Sequence, residues 1–360
     1  MDDKDIVLKI ENVSKSFGRN IVLEHVNLDI ISGEIFGIIG ISGSGKTTLL
    51  NLIIGFHRVD NGDIKFKRSH LLGFKTPDKD SFCSIYAKEF ELKRMFGFAA
   101  QKPSFYKQLN SDENLDYFGS LYGLPKEIRR TNSEILLKLM GIYDFRKLNA
   151  DQLSGGMQKR LDIACALIHN PSVLILDEPT ADLDPISRKQ MWDLIRKINS
   201  KGTTVVITSH LLEELEELCD RVAIIHNKKI IRIGSPNEIK NSYSNHYEIK
   251  IETKSARYDQ FKEFLLRNNN QFDVRSIKHS GRKLLIISPN AERILHNAIH
   301  HFESREDDII DVSVNKPLLE EVMTYLIRIE DIKKQEEIRR VQQEKQNKNK
   351  KTNKNKKQKK

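Results

Sequence analysis

The stretch that decides the fold is IFGIIGISGSGKTTLLNLII, residues 35–54. Its first six residues form a continuous apolar run typical of a buried strand, and its second half has the apolar pattern of a helix. Between them, Gly40 to Thr48 fits the pattern G-x-x-x-x-G-K-[ST], with an additional glycine at position 43. A strand, a glycine-rich turn and a helix in this order predict a nucleotide-binding α/β domain.

This glycine-rich turn has the chemistry of a phosphate cradle. Small residues let backbone N–H groups surround a phosphate, and the helix that begins near Gly45 directs its positive dipole end at the anion. We expect Lys46 to reach the β- and γ-phosphates and Thr47 to bind Mg²⁺. A turn that matches by chance is the weaker alternative, because a strand precedes it and a helix follows. The expected ATP contacts in the cradle are Gly40, Ile41, Ser42, Gly43, Ser44, Gly45, Lys46, Thr47 and Thr48.

The same alternation of strands and helices continues along the chain. Continuous apolar runs recur at VLILD (173–177), TVVITS (204–209) and RVAIIH (221–226), with helix-length segments between them. Alternation of this kind indicates a parallel sheet with helices on its faces. We therefore assign residues 1–239 to one α/β domain of the P-loop NTPase type.

The texture changes near residue 240. The following runs have the order βαββαβ and include a strand at FDVRSIK (272–278), which predicts a small α+β domain over residues 240–326. A long helix is expected from Lys316, and its charged part is assigned to residues 327–345. Lys, Asn and Gln dominate residues 346–360, which we expect to be disordered.

The charge balance argues against nucleic-acid binding by the body of the chain. The net charge is +10, but nine lysines and no acidic residue lie between Lys345 and Lys360, which leaves 51 basic and 50 acidic residues elsewhere. No run approaches the roughly 20 apolar residues of a membrane span. The N-terminus lacks the apolar run of a signal peptide, and three scattered cysteines do not make a disulfide framework. These features predict a cytoplasmic location.

Two carboxylates follow the buried strand VLILD. Asp177 is expected to hold Mg²⁺, directly or through water, and Glu178 to polarise the attacking water as general base. The alternative is an acidic helix cap followed by a turn, since Pro179 and Thr180 come next. The phosphate cradle 131 positions earlier makes that alternative weaker.

A second phosphate-binding element occurs at LSGGMQKR, residues 153–160. A Ser-Gly-Gly turn that opens a helix offers a hydroxyl, bare N–H groups and a dipole end. This segment strongly resembles the signature motif of ABC ATPases. The resemblance implies that the segment contacts the γ-phosphate held by a second protomer. The expected contacts are Leu153, Ser154, Gly155, Gly156 and Met157.

Further residues match the family over about residues 5–240. Gln101 resembles the Q-loop glutamine, His210 the switch histidine, and Asp184 in ADLD the D-loop aspartate. Phe17 matches the aromatic residue that stacks on adenine. Each residue taken alone could be a surface group or core filler, but six elements in order exclude coincidence. The resemblance implies catalytic roles for Lys46, Gln101, Glu178 and His210, and Mg²⁺ ligands among Thr47, Gln101 and Asp177.

The resemblance also implies a mechanism and partners. Two protomers are expected to sandwich two ATP molecules head to tail and to power a separate integral membrane permease. Met157 and the segment KPLLEEVMTYL (316–326) are similar to ABC-2-type exporters, although the segment could simply be an amphipathic helix. The 107 residues from Lys46 to Leu153 lack the heptads of DNA-repair relatives. A non-transport role such as translation is the alternative, but translation factors normally carry two cassettes.

Two features lie outside the family pattern. The 55 positions between Lys46 and Gln101 exceed the usual spacing, and we place the excess at residues 70–90. The Lys-rich tail is either a solvated terminus or a contact with anionic lipid head groups, with nucleic-acid binding as a third reading.

Overall fold

The computed structural model consists of two compact units, Met1–Pro236 and Asn237–Lys360. It describes residues 6–67, 82–87, 93–243, 247–316, 319–320 and 322–332. The division lies three residues before the predicted boundary at 239, and each unit is considered by itself. The predicted tail, residues 346–360, lies outside the described residues, as does all but the first part of the predicted charged helix.

A six-stranded sheet forms the centre of the first unit. Its strands are β3 (Ile35–Ile39), β6 (Phe96–Ala99), β7 (Val173–Asp177), β8 (Thr204–Thr208), β9 (Arg221–His226) and β10 (Lys229–Gly234). Their order across the sheet is β10-β9-β3-β8-β7-β6, with β10 antiparallel and the other pairs parallel. Every residue of β3, β7 and β8 is buried, as their uninterrupted apolar sequences predict.

A second, antiparallel sheet accompanies it. It contains β1 (Ile6–Phe17), β2 (Asn20–Ile31), β4 (Asn61–Lys67) and β5 (Phe82–Ser84) in the order β2-β1-β4-β5. Part of the predicted insertion at residues 70–90 therefore extends this sheet, where Cys83 pairs with Phe66. Apolar residues of both sheets and of the helix after β3 share one core.

Six α-helices lie among the described residues of this unit. They are α1 (Lys46–Ile53), α2 (Ser111–Leu121), α3 (Lys126–Leu139), α4 (Gly155–Leu167), α5 (Pro185–Asn199) and α6 (Leu212–Leu218). A capping box between Asn110 and Glu113 begins α2, and the hydroxyl of Ser154 caps α4. Helices α2, α3 and α4 pack on one another as a helical layer. The last seven residues of α4, including Cys165, are buried.

The second unit is a four-stranded antiparallel sheet with helices. Its elements are α7 (Pro236–Tyr243), β11 (Tyr247–Thr253), α8 (Asp259–Arg267), α9 (Asn269–Phe272), β12 (Ser276–Ser280), β13 (Lys283–Ser288), α10 (Ala291–Glu303) and β14 (Ile309–Asn315). The sheet order is β12-β13-β11-β14. Alternate residues of β11, Ile249 and Ile251, pack in a core with the apolar faces of α8 and α10.

Two details of the second unit differ from the prediction. The strand expected at 272–278 begins only at Ser276, because Phe272 ends α9 and Asp273 adopts φ 44°. Of the long helix expected from Lys316, residues 319–320 and 322–332 are helical, whereas Lys316 itself is not; the predicted part beyond residue 332 lies outside the described residues. Among the described residues, no helix has the length and apolarity needed to cross a bilayer.

Candidate nucleotide-binding site

Four adjacent parallel strands bring the predicted site residues to one edge of the central sheet. The strands β3, β8, β7 and β6 are neighbours in that order. The glycine-rich turn follows β3, His210 follows β8, Asp177 ends β7, and Gln101 follows β6. The carboxyl ends of parallel strands are where open α/β sheets bind ligands. Strand order therefore assembles residues that lie far apart in the chain.

The turn after β3 can form only with glycine at its key positions. Gly43 and Gly45 have φ values of 77° and 104°, which side chains disfavour. A Cβ on Gly40 would lie 2.4 Å from Oγ of Ser44 and 2.8 Å from the carbonyl oxygen of Ile225. The backbone is thus free of side chains on the approach to the first turn of α1.

Lys46 is a buried cation inside this turn. Its side chain is 7% exposed, and Nζ donates to the carbonyl oxygen of Gly40 (2.8 Å) and, more weakly, to that of Ile41 (3.4 Å). Burial lowers the pKa of Lys46, while the negative charges of Glu178 and Asp177 act in the opposite direction. The amine therefore lies where an anionic ligand would offset the loss of hydration.

A hydroxyl inside the turn also lacks a partner. Oγ of Ser44 is buried and has no hydrogen-bond partner within the described part of the chain. A buried hydroxyl without a partner is costly, and a phosphate oxygen would satisfy it. The orphaned hydroxyl, the bare backbone and Lys46 together fit the phosphates of a nucleotide.

Oxygen atoms suited to Mg²⁺ lie beside the turn. Oγ1 of Thr47 donates to Oδ2 of Asp177 (3.0 Å), and Oγ1 of Thr208 donates to Oδ1 of the same carboxylate (2.5 Å). Mg²⁺ prefers hard oxygen ligands and is usually held by one or two protein groups together with phosphates and water. A hydroxyl beside a single oriented carboxylate fits that pattern. Across the described residues, no group of three or more His, Cys, Asp or Glu side chains could hold a metal alone.

Glu178 contacts two of the side chains predicted to belong to the site. Its Oε2 accepts a hydrogen bond from Nε2 of Gln101 (2.9 Å) and lies 3.5 Å from Nδ1 of His210. Its backbone has φ 50°, and its N–H donates to both the carbonyl oxygen and Oγ1 of Thr208, each at 3.1 Å. A glutamate held in the left-handed region is strained, and such strain is concentrated at functional sites.

The signature segment and the D-loop aspartate are placed differently. Ser154 accepts from the N–H of Met157 (3.3 Å), and Asp184 caps α5 by accepting from Ile186 and Ser187. A Cβ on Gly155 would meet no atom within 4 Å, so the start of α4 is open. Among the hydrogen bonds and ion pairs of the described residues, none joins Ser154 or Asp184 to the cradle. One copy therefore brings the cradle, Asp177, Glu178, Gln101 and His210 together, but not these two.

Phe17 lies at the end of β1 with 45% of its surface exposed. Its ring makes an edge contact with His57 (5.2 Å between centroids), and Nζ of Lys15 lies 5.5 Å from its centroid. An exposed ring with one edge fixed can accept a flat base by stacking. Its role in binding adenine stays a prediction.

Sequence reasoning missed several residues that support the site. Thr208 orients Asp177 and the backbone of Glu178, and no sequence pattern indicates it, because these contacts depend on β8 lying beside β7. Lys159 donates to the carbonyl oxygen of Gln101, and Asp162 accepts from Ser104. Neither contact has a signal in the sequence, because each joins segments about 58 residues apart.

A further missed group is a buried carboxylate on α6. Oε2 of Glu214 accepts from Oγ1 of Thr180 (2.7 Å) and from Oγ of Ser209 (2.8 Å). Thr180 follows the Glu178 turn, and Ser209 precedes His210. Glu214 thus ties together the two turns that carry the predicted base and the switch histidine.

Comparison with known proteins agrees with this geometry. Residues 23–181 match the family described as ABC transporter. The linearmycin resistance ATP-binding protein LnrL of Bacillus subtilis (strain 168) is 28% identical over 89% of this chain and 98% of its own length. The Nod factor export ATP-binding protein I of Sinorhizobium fredii (strain NBRC 101917 / NGR234) is 35% identical over 65% of this chain and 64% of its own length.

Solved structures share the architecture. The structure of cbiO1 from Clostridium perfringens, part of the ABC transporter complex cbiONQ, aligns with a TM-score of 0.57 at 25% identity. The alignment covers 74% of this chain and 97% of that one. The P-loop α/β fold predicted from the sequence is thereby confirmed.

Proposed function

We propose that this chain, which matches the ABC transporter family over residues 23–181, is an ATP-binding subunit of that family. Two copies close around two ATP molecules, hydrolyse them and thereby drive a separate permease. One observation carries the proposal. The cradle, the Thr47–Asp177 pair and the Gln101–Glu178 pair meet at one sheet edge, whereas no hydrogen bond or ion pair of the described residues joins Ser154 to them. The second phosphate-binding element is thus left for the nucleotide of a second copy.

The proposed division of labour follows from the atoms. Lys46 and the turn N–H groups bind the β- and γ-phosphates, and the hydroxyl of Ser44 donates a hydrogen bond to a phosphate oxygen. Thr47, Gln101 and Asp177 would hold Mg²⁺, which neutralises charge on the phosphate oxygens when bound. Glu178 accepts a proton from the attacking water. Gln101 holds its carboxylate, and Thr208 holds its backbone N–H.

His210 is proposed to sense the γ-phosphate. It lies beside Glu178 with 52% of its side chain exposed, so it can turn toward a phosphate above the cradle. In the closed dimer, Ser154 and the N–H groups at the start of α4 would contact that same phosphate from the partner. Closure on ATP and reopening after hydrolysis would then supply the motion passed to the permease.

We infer that the transported process is export of the ABC-2 type. The relatives named for linearmycin resistance and Nod factor export support this reading and favour transport over translation. We propose that the protein lies on the cytoplasmic face of the membrane, beside its permease. Co-purification with a membrane protein from solubilised membranes would support this, and co-purification with ribosomes instead would contradict it.

We also propose that the Lys-rich tail contacts anionic lipid, at about 1 kcal/mol for each lysine near the surface. Its test is sedimentation with phosphatidylserine-containing vesicles, comparing the full chain with a chain that ends at residue 345. Equal sedimentation of the two would exclude the lipid contact. Binding of the full chain to RNA but not to vesicles would favour the nucleic-acid reading.

The dimer is tested by complementation between two inactive variants. Lys46→Ala destroys both cradles of a homodimer, and Ser154→Arg destroys both signature contacts. A mixed dimer restores one complete site, made from the cradle of the Ser154→Arg copy and the signature of the Lys46→Ala copy. ATP turnover that returns only on mixing supports the proposal; full turnover by a strict monomer, or no recovery on mixing, contradicts it.

A further inference from the structure

We call α4 (Gly155–Leu167) the signature helix. Two of its side chains form hydrogen bonds with the loop that carries Gln101. We call residues 100–105, which follow β6, the glutamine loop. Nζ of Lys159 donates to the carbonyl oxygen of Gln101, and Oδ1 of Asp162 accepts from both N (2.9 Å) and Oγ (3.1 Å) of Ser104. Positions 159 and 162 lie one turn apart on α4, so both side chains face the same way.

The aspartate in this contact is an unusual group to bury. Asp162 is only 2% exposed, and burial raises its pKa to about 6 although the Ser104 bonds and Lys159 act to lower it. Its Oδ2 has no hydrogen-bond partner in the part of the chain that the structure describes. A buried carboxylate is costly without compensation, and here the compensation is the backbone N–H and hydroxyl of the glutamine loop.

These contacts join the two ends of the proposed reaction. At one end of α4, Ser154 begins the helix and offers the signature contact to a second copy. Less than three turns later, Lys159 and Asp162 hold the glutamine loop. The side chain of Gln101 in turn donates to Glu178 (2.9 Å).

We propose that Lys159 and Asp162 are positioning residues that fasten the glutamine loop to the signature helix, so that the start of α4 and the Gln101–Glu178 contact move as one body. The inference rests on the proposed function, since it assigns these residues a part in ATP hydrolysis. Among the described residues, neither side chain has a hydrogen bond or ion pair to the cradle. We call the contacts of Lys159 and Asp162 with the glutamine loop the clamp. Loss of the clamp should slow the chemical step and leave nucleotide binding intact.

The test compares ATP turnover by the full chain with Asp162→Ala, Asp162→Asn and Ser104→Ala. Asp162→Ala should lower kcat about tenfold with KM for ATP changed less than twofold, because a misplaced catalytic group affects the rate more than ground-state binding. Asp162→Asn retains Oδ1 as an acceptor and should recover to within about threefold of the parent. Ser104→Ala alone should lower kcat relative to the parent. Added to Asp162→Ala it should lower kcat no further, since the effects of residues in contact are not additive.

Hydrogen exchange gives a readout that does not depend on turnover. The amide of Ser104 should exchange slowly in the parent and much faster in Asp162→Ala, while thermal unfolding confirms that each variant is folded. Asp193→Ala is the control, because Asp193 is an exposed acid on α5 that forms a surface ion pair with Arg196. Should Asp162→Ala be unfolded, Ser104→Ala and Asp162→Asn carry the test.

The outcomes separate the clamp from the proposed function. Normal kcat in folded clamp variants, or unchanged exchange at Ser104 in Asp162→Ala, would overturn the clamp alone. Loss of kcat together with an equal rise in KM would also overturn it, because that pattern indicates general damage to the site. Absence of ATP turnover in the parent would overturn the proposed function and this inference together.

Discussion

Oγ1 of Thr47 and Oδ2 of Asp177 lie 3.0 Å apart although 130 residues separate them in the chain. Thr47 lies in the first turn of α1, and Asp177 ends β7, two strands away from β3 across the sheet. The contact places a hydroxyl beside a carboxylate next to the buried Lys46.

Removing the proposed base should separate binding from turnover. Glu178→Gln keeps the size of the side chain but cannot accept a proton, so kcat should fall about 100-fold or more while ATP binding is retained. The variant should also accumulate as a dimer with ATP, measured by light scattering. ATP hydrolysis at the parental rate would exclude Glu178 as the base. The matched control is Glu213→Gln, an exposed neighbour of Glu214 on α6.

Truncation of the cradle lysine should act on binding itself. Lys46→Ala removes the buried ammonium group that lies 2.8 Å from the carbonyl oxygen of Gly40. A hydrogen bond to a charged group contributes about 1.5–3 kcal/mol, so ATP affinity should fall between about 10- and 100-fold. Titration with a fluorescent ATP analogue measures this loss, and unchanged affinity would contradict the assigned cradle.

Thr208 should prove to be a supporting residue of the metal site. Thr208→Val keeps the shape of the side chain but removes the 2.5 Å hydrogen bond to Asp177 and one bond to the N–H of Glu178. Loss of a group that orients a ligand typically costs about 10- to 100-fold. We expect turnover to fall about tenfold and the Mg²⁺ concentration for half-maximal rate to rise. Thr203→Val, just before the same strand, should change neither quantity.

The exposed ring of Phe17 should contribute to nucleotide affinity but not to turnover. Stacking of a base on an aromatic ring is worth about 1–3 kcal/mol, so Phe17→Ala should raise KM for ATP about tenfold and leave kcat unchanged. Phe17→Tyr should behave as the parent, because it keeps the flat ring. Phe145→Ala is the control, since Phe145 is equally exposed (46% against 45%). A parental KM in Phe17→Ala would mean that the base binds elsewhere.

The stability of the first unit should depend on pH through His169. Its ring is stacked on Tyr122 with centroids 3.6 Å apart, and Nε2 lies 3.1 Å from the carbonyl oxygen of Phe96. Burial lowers the pKa of His169 to about 4 from 6.5. Protonation of His169 is less favourable in the folded state than in the unfolded state. The contribution of His169 to the free energy of unfolding is therefore fully present above pH 6.5 and is lost as pH falls toward 4. The loss is up to about 3 kcal/mol of unfolding free energy.

Denaturant unfolding of the parent and His169→Gln at pH 7 and pH 4 tests this sign. The difference in unfolding free energy between the parent and His169→Gln should become smaller as pH falls. The difference between the parent and His296→Gln, at an exposed position, should not change with pH. Asp162 acts in the opposite direction, because its pKa is raised to about 6 and its contribution is lost as pH rises from 4 to 6. A gap that widens toward pH 4 would contradict the buried, neutral state of His169.

The sequence by itself determined the local parts of this protein. The buried strands are long apolar runs, and the turn between β3 and α1 requires glycines whose φ values only that residue adopts readily. Local patterns of this kind depend on neighbours in the chain, so they can be recognised without a structure. The order of elements in the second unit and the candidate residues of the cradle were available for the same reason.

Only the tertiary structure decided which distant residues meet. Strand order places Gln101, Glu178 and His210 at one point, and it reveals Thr208, Asp162 and Glu214 as their supports. These contacts join segments about 30 to 60 residues apart, or more than 70 for Gln101 and Glu178. No local pattern encodes them, because a hydrogen bond depends on where the sheet places each strand end and not on spacing along the chain.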